Sequence, residues 1–270
     1  MSELRPEGHD FYRRSMEVLR AAKVPFLLGG AYALCVYTGI VRRTKDFDIF
    51  VRQKDFDPAL EVFRRAGYRA EKTFPHWLGK VLEGDESIDI IYRAGNGLCA
   101  VDDLWFTRAH AAEVCGIQTQ LSPPEEMIWM KAYIMERERY DGADVAHLLL
   151  HCAAQLDWKH LLWRFGPDWR VLLSHLVLFG FIYPTEKERI PQPVLDQLLG
   201  RLREQEPTNG DPPLCRGTLL SRAQFLADLE QGKFRDARLE PRSAMDEGAI
   251  AAWTAAIDAK VKPHLVTPQD

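Results

Sequence analysis

The sequence predicts an α/β (α+β) N-terminal domain with a short mixed sheet, followed by an α-helical C-terminal region. Three observations predict it. Between Pro25 and Leu121, short β-branched and aromatic runs alternate with segments of helical period. From Ser122 to about Arg203 the apolar spacing is helical almost throughout. The 270 residues are 46% hydrophobic and 27% charged, an ordinary globular composition with room for one large or two smaller domains. The expected division is 1–121 and 122–270.

The elements follow in order. Asp10 to Ala22 carries apolar residues at helical spacing and ends before Lys23 and Pro25. "PFLLGG" reads as a short buried strand that stops at glycines. "AYALCVYTGI" reads as a helix terminated by Gly39. "DFDIFV" is a strand. "DFDPALEVFRRAG" is a helix with Asp55 or Asp57 near its start and Gly67 at its end. "YRAEKTF", "WLGKVLEG", "SIDIIYR" and "IQTQL" read as further strands. "SPPEEMIWMKAYIMERERY" opens the helical half, with Ser122 as cap, proline in the first turn and Glu125 and Glu126 at the positive end of the dipole. After the Pro/Gly-rich "EPTNGDPPLCRG", two helices are expected around Ser221 to Gln231 and Asp246 to Lys260.

Bulk properties exclude several classes. The net charge of −4 argues against tight generic DNA binding, which calls for a basic surface. No apolar run approaches the roughly 18 residues of a membrane span. The five cysteines show no CxxC spacing, their number is odd, and the charged start lacks an apolar leader core. The expectation is a reduced, cytoplasmic protein with no membrane partner. The histidines form no HxH or HxxxH group that would suggest zinc.

The chemistry-bearing residues lie in "LLGGAYALCVYTGIVRRTKDFDIFV". Side chains alternate along a strand, so Asp46 and Asp48 share one face while Phe47 and Ile49 take the core face. Two adjacent carboxylates repel and raise each other's pKa unless a positive charge separates them. A divalent cation removes that repulsion, and all-oxygen ligation suits Mg²⁺. Asp89 lies mid-strand in "SIDIIYR"; beside the first strand it would complete a cluster able to hold two Mg²⁺. Gly29 and Gly30 sit between a strand and a helix, where the backbone approaches phosphate closely and free N–H groups meet it.

Together these residues resemble the DNA polymerase β nucleotidyltransferase superfamily, whose signature is a double glycine, D-x-D and a third carboxylate. The "VRRTKDFDIF" segment resembles the small bacterial stand-alone and abortive-infection-like group. The resemblance spans about residues 20 to 150. The gap from Gly30 to Asp46 is longer than in compact members. The resemblance implies that Asp46, Asp48 and Asp89 are the catalytic and metal-holding residues, with two Mg²⁺ or with Mn²⁺ as substitute. It implies nucleotide contacts from Gly29, Gly30, Arg42, Thr44 and Lys45. An NTP, ATP or another, would give its NMP to an acceptor hydroxyl on a small molecule, a tRNA end or a protein. No P-loop is present, so γ-phosphoryl transfer is not suggested.

The helical half resembles the group's Lys helix and R-D-x-x-D element through Lys131, Arg139, Asp141 and Asp144. Lys131 and Arg137 are thereby candidates for contact with the β- or γ-phosphate. A solvated ion-paired face explains the same charges equally well. His76 reads as a surface or turn residue, and Trp129 and Tyr133 as packing residues. The alternative for the whole chain is a non-catalytic nucleotide-binding or partner-neutralising module of the same fold.

Overall fold

The computed structural model describes residues 9–42, 44, 46–204, 213–230 and 232–257. They divide into two compact units. One lies within Met1–Gly95, Cys99–Ile128 and Ala154–Leu156; the other lies within Asn96–Leu98, Trp129–Ala153 and Asp157–Asp270.

The first unit runs α1 (His9–Ala21), β1 (Leu27–Leu28), α2 (Gly30–Thr38), β2 (Asp46–Phe50), α3 (Gln53–Arg65), β3 (Arg69–Phe74), β4 (Leu78–Glu83), β5 (Glu86–Ile91), α4 (Asp103–Thr107), β6 (His110–Val114) and β7 (Ile117–Leu121). The strands form a seven-stranded mixed sheet in the order β3-β4-β5-β2-β1-β7-β6. β2 pairs in parallel with β5 and antiparallel with β1, and β1 pairs in parallel with β7.

Alternation along β2 sets the two faces of the sheet. Phe47 and Ile49 are fully buried, whereas Asp46 is exposed and Asp48 half-buried. The Phe47 ring stacks on Tyr12 at 4.5 Å and takes the edge of Tyr32 at 4.9 Å, so α1 and α2 close over this face. Burying such a ring contributes about 2 kcal/mol. α3 covers the same face further along. A Cβ on Gly79 of β4 would stand 2.9 Å from Leu60 Cδ2, which is why that strand position is glycine. Gly39 ends α2 as expected: its φ of +73° is left-handed, and its N–H donates to Cys35 O at 2.8 Å.

α4 and β6 were not expected. "HAAEV" lacks a β-branched run, yet full antiparallel pairing with β7 makes it a strand. α4 is a five-residue helix capped by Asp102, whose Oδ1 accepts from Leu104 N at 3.0 Å.

The helical half begins with α5 (Pro124–Lys131). Two expectations need correction here. Ser122 is not the cap: its N–H continues the sheet by donating to Leu28 O at 2.8 Å, and its buried Oγ has no hydrogen-bond partner among the described residues. Pro123 O instead receives Glu126 N and Met127 N at 3.1 Å each. The helix also stops at Lys131 rather than running through "ERERY". Met135 bridges Tyr140, and Glu136 N donates to Arg139 O at 2.8 Å, closing a tight hairpin. Met135 N bonds Leu220 O, and the Glu136 carboxylate receives Ser221 Oγ and Arg222 N. These tertiary bonds outweigh the segment's helical propensity.

The second unit then carries α6 (Gly142–Cys152), α7 (Trp158–Phe165), α8 (Trp169–Ile182) and α9 (Gln192–Arg203). Leu148, Leu161, Leu172, Phe179 and Leu198 are fully buried in it. The chain continues through β8 (Leu214–Cys215), α10 (Leu226–Glu230), β9 (Arg235–Asp236) and α11 (Glu247–Ala255), and the two helices fall where two were expected. The expected ends of those helices, Gln231 and Lys260, lie outside the described residues. Buried Arg238 on Asp236, and Arg242 with Tyr133 on buried Asp168, tie this tail into the unit. Among the described residues no helix is long and apolar enough to cross a membrane.

Candidate active site

The parallel register of β2 and β5 sets Asp48 directly opposite Asp89, with Asp46 opposite Ser87. Parallel neighbours in register present their side chains on one face, so the two carboxylates share it. The condition placed on Asp89, that its strand neighbour the D-x-D strand, is met. On the far side of β5, Lys80 of β4 stands opposite Asp89, and its Nζ lies 2.6 Å from Asp89 Oδ1. Glu71 of β3 stands opposite Lys80. Four strands thus carry one row: Glu71, Lys80, Asp89, Asp48. Lys80 was not singled out from the sequence. Hairpin register across the two-residue turn, in which Glu83 faces Glu86, would have placed Lys80 opposite Asp89.

The double glycine is built against β2. Gly29 N donates to Asp48 O at 3.0 Å. A Cβ on Gly29 would stand 2.1 Å from Phe50 Cε2. Gly30 has φ +54°, and a Cβ there would stand 1.7 Å from Asp48 Oδ2. Neither position accepts a side chain, and the second also needs the left-handed backbone open to glycine. Gly30 opens α2, whose ladder begins with Ala33 N to Gly29 O at 3.1 Å. The N–H groups of Gly30, Ala31 and Tyr32 therefore have no partner in that ladder and carry the positive end of the helix dipole beside Asp48.

Thr44 fixes the entry to β2. Its hydroxyl donates to Asp46 O at 3.0 Å and accepts from Asp46 N at 3.1 Å. Arg42 is exposed in the preceding loop. Lys45 lies outside the described residues. His76 sits in the β3–β4 turn with Nε2 3.1 Å from Gly95 O.

The donor chemistry suits a hard divalent cation: carboxylate oxygens on one face, completed by substrate phosphates. The three acids do not close into one metal-holding group, and no group of three His, Cys, Asp or Glu does so among the described residues. Asp46 is exposed at the first position of β2, and Asp89 is engaged by Lys80.

In the second unit, Lys131 is neither solvated nor on a surface face. Its Nζ lies 2.9 Å from Asp141 Oδ2 and 2.8 Å from Asp144 Oδ2, with the side chain 13% exposed. Arg139 donates to both carboxylate oxygens of Asp141, Nε to Oδ1 and Nη2 to Oδ2, at 2.8 Å each. Burial works to lower the Lys131 pKa, but the two carboxylates outweigh it and hold the ammonium above its ordinary value. Burial likewise works to raise Asp141, while Arg139 and Lys131 overcome it and bring it down to about 2. Arg137 is exposed at the tip of the hairpin. Trp129 lies 4.9 Å from the Arg164 guanidinium and Tyr133 donates to Asp168 Oδ2 at 2.9 Å, both packing roles.

Several solved structures are similar to this chain. The solution structure of the antibiotic-resistance factor ANT(2'')-Ia matches at 16% identity, covering 63% of this chain and 96% of that one, with a TM-score of 0.43. The lincosamide antibiotic adenylyltransferase LnuA, in its lincomycin-bound crystal structure, matches at 16% identity over 54% and 98%, with a TM-score of 0.38. The protein JHP933 from Helicobacter pylori matches at 14% identity over 74% and 97%, with a TM-score of 0.38. No curated protein matches. The pattern of one family, described as uncharacterised nucleotidyltransferase, matches residues 13–166, which hold the double glycine, the D-x-D pair and the third carboxylate. With more than half of its length matched, the chain belongs to that family of nucleotidyltransferases.

Proposed function

We propose that this nucleotidyltransferase is divalent-cation-dependent and moves NMP from an NTP to an acceptor hydroxyl, releasing pyrophosphate. The observation that carries the reading is the shared row of Asp48 and Asp89, with the Gly30 backbone set against Asp48. Asp46, Asp48 and Asp89 would hold the cation, Mg²⁺ or Mn²⁺. Bound there, it would neutralise phosphate oxygens and acidify the acceptor hydroxyl.

The chain's own residues supply the rest. The first-turn N–H groups of α2 bind phosphate oxygens and orient the triphosphate. Thr44 keeps the Asp46 backbone fixed so that the carboxylate does not swing with the loop. Asp89 accepts the acceptor's proton. The acceptor oxygen forms a bond to the α-phosphorus, the bond from that phosphorus to the bridging oxygen breaks, and pyrophosphate leaves. Arg42, Lys45, Lys131 and Arg137 are proposed phosphate contacts. The acceptor is a small molecule, a tRNA end or a protein side chain.

The test is transfer from each α-phosphate-labelled NTP with Mg²⁺, offered small hydroxyl compounds, tRNA and protein in parallel. Label should enter one acceptor class and disappear with Asp48→Asn. Equal labelling by that variant would overturn the reading in favour of a site elsewhere.

A further inference from the structure

Asp89 faces a carboxylate on one side and an ammonium on the other. Asp48 lies opposite it on β2, and like charges directly across a ladder repel. Lys80 lies opposite it on β4 at 2.6 Å, with side-chain exposures of 28% for Lys80 and 14% for Asp89. The lysine therefore neutralises the charge that a bound cation would neutralise. It also has a second carboxylate within its own row. Glu71 stands opposite Lys80 on β3, 43% exposed and paired at 3.0 Å with Arg69. Strands lie about 4.8 Å apart, so a lysine stem on β4 reaches a carboxylate on either neighbour by rotamer change alone.

We propose that Lys80 is the positioning residue of the third carboxylate: it holds Asp89 beside Asp48 while no cation is bound, and passes to Glu71 when Asp89 takes up a divalent cation. The inference rests on the cation-dependent reading above. It assigns to one half-buried side chain both the rest position of Asp89 and the threshold at which the metal is accepted. Lys80 competes with the cation for the same oxygen. Glu71 lowers the cost of that displacement by receiving the displaced ammonium.

The experiment is Mn²⁺ titration of the whole protein by calorimetry, with no nucleotide present. Lys80→Gln should bind Mn²⁺ about fivefold more tightly than wild type, the scale of a partly exposed ion pair. Lys80→Arg, which keeps the charge, should stay near wild type. Glu71→Gln should bind about threefold more weakly, and that loss should vanish in the Lys80→Gln background, because a direct charge effect of Glu71 would persist there. Lys80→Gln affinity equal to or weaker than wild type overturns the proposal. A Glu71 effect that survives in the double variant overturns the transfer to Glu71. Asp48→Asn separates the two levels. Loss of Mn²⁺ binding in that variant, with no Lys80 effect, sinks the lysine proposal and leaves the functional reading standing. Wild-type-like binding by Asp48→Asn sinks both.

Discussion

Gly30 leaves free the space that the Asp48 carboxylate fills: a methyl group on its Cα would stand 1.7 Å from Asp48 Oδ2. The same residue holds φ at +54°. Gly30→Ala therefore combines left-handed strain with a direct clash. The expected cost is about 2 kcal/mol of stability, together with loss of most nucleotidyl transfer. Gly39→Ala is the matched control. Its φ is +73° with nothing within 4 Å of the added Cβ, so about 1 kcal/mol should be lost while transfer is kept. Thermal melts and initial rates on both variants separate the strain from the clash.

Asp48→Asn and Asp46→Asn should each lower transfer by at least about 100-fold while leaving the melting temperature within a few degrees of wild type. Asp46 is exposed and Asp48 half-buried, so neither amide enters the core. Rates alongside circular dichroism provide the check. Full activity in both variants would remove the metal assignment.

Thr44→Val removes both bonds to the Asp46 backbone. The expected loss is about 1 kcal/mol of stability. Rate at saturating NTP should fall more than NTP affinity, because the residue fixes a carboxylate rather than touching the nucleotide. Steady-state kinetics with serine as the rescuing substitution distinguishes this from simple unfolding.

If Lys131 is a solvated phosphate contact, as its place in the sequence suggests, Lys131→Ala should weaken NTP binding and spare the fold. The structure revises the second half. Removing the ammonium leaves Asp141 and Asp144 buried without it, and such a loss costs about 3–5 kcal/mol. The proposed phosphate contact is therefore better tested with Lys131→Met combined with Asp141→Asn and Asp144→Asn. Denaturant melts should show the single substitution far less stable than the triple one.

Asp141 also fixes a pH window. Its pKa in the folded state is about 2, against an ordinary value of 3.8. A lowered carboxylate pKa means that the unfolded chain binds more protons across this interval. The stabilisation, about 2 kcal/mol, is present above pH 4 and disappears as pH falls toward 2. Denaturant melts between pH 5 and 2 should show a slope that Asp141→Asn flattens.

The site's carboxylates were legible because strand alternation is a strict rule. Asp46 and Asp48 had to share a face, and Phe47 and Ile49 had to fill the other. Gly39 was legible as a helix end for a similar local reason. Lys80 was not marked, because its role comes from register across a turn rather than from a motif. The break after Lys131 was invisible for a different reason. "AYIMERERY" has good helical propensity, and what overrules it is Leu220, Ser221 and Arg222, some eighty residues away. Ser122 looked like a cap by composition, but the sheet claimed its backbone first.

Asp48 and Asp89 meet across a parallel pair whose connection runs through α3, β3 and β4. A parallel crossover of that length closes late, since non-local pairing costs loop entropy before it gives contacts. No partly folded chain that lacks the β2–β5 pairing can present both carboxylates together. If the proposed cation site is right, the point at which a refolding chain first binds Mn²⁺ should report formation of the β2–β5 pairing. A chain still lacking that pairing would hold the two carboxylates on strands not yet joined, so the row they share is a property of the folded sheet and not of either strand alone.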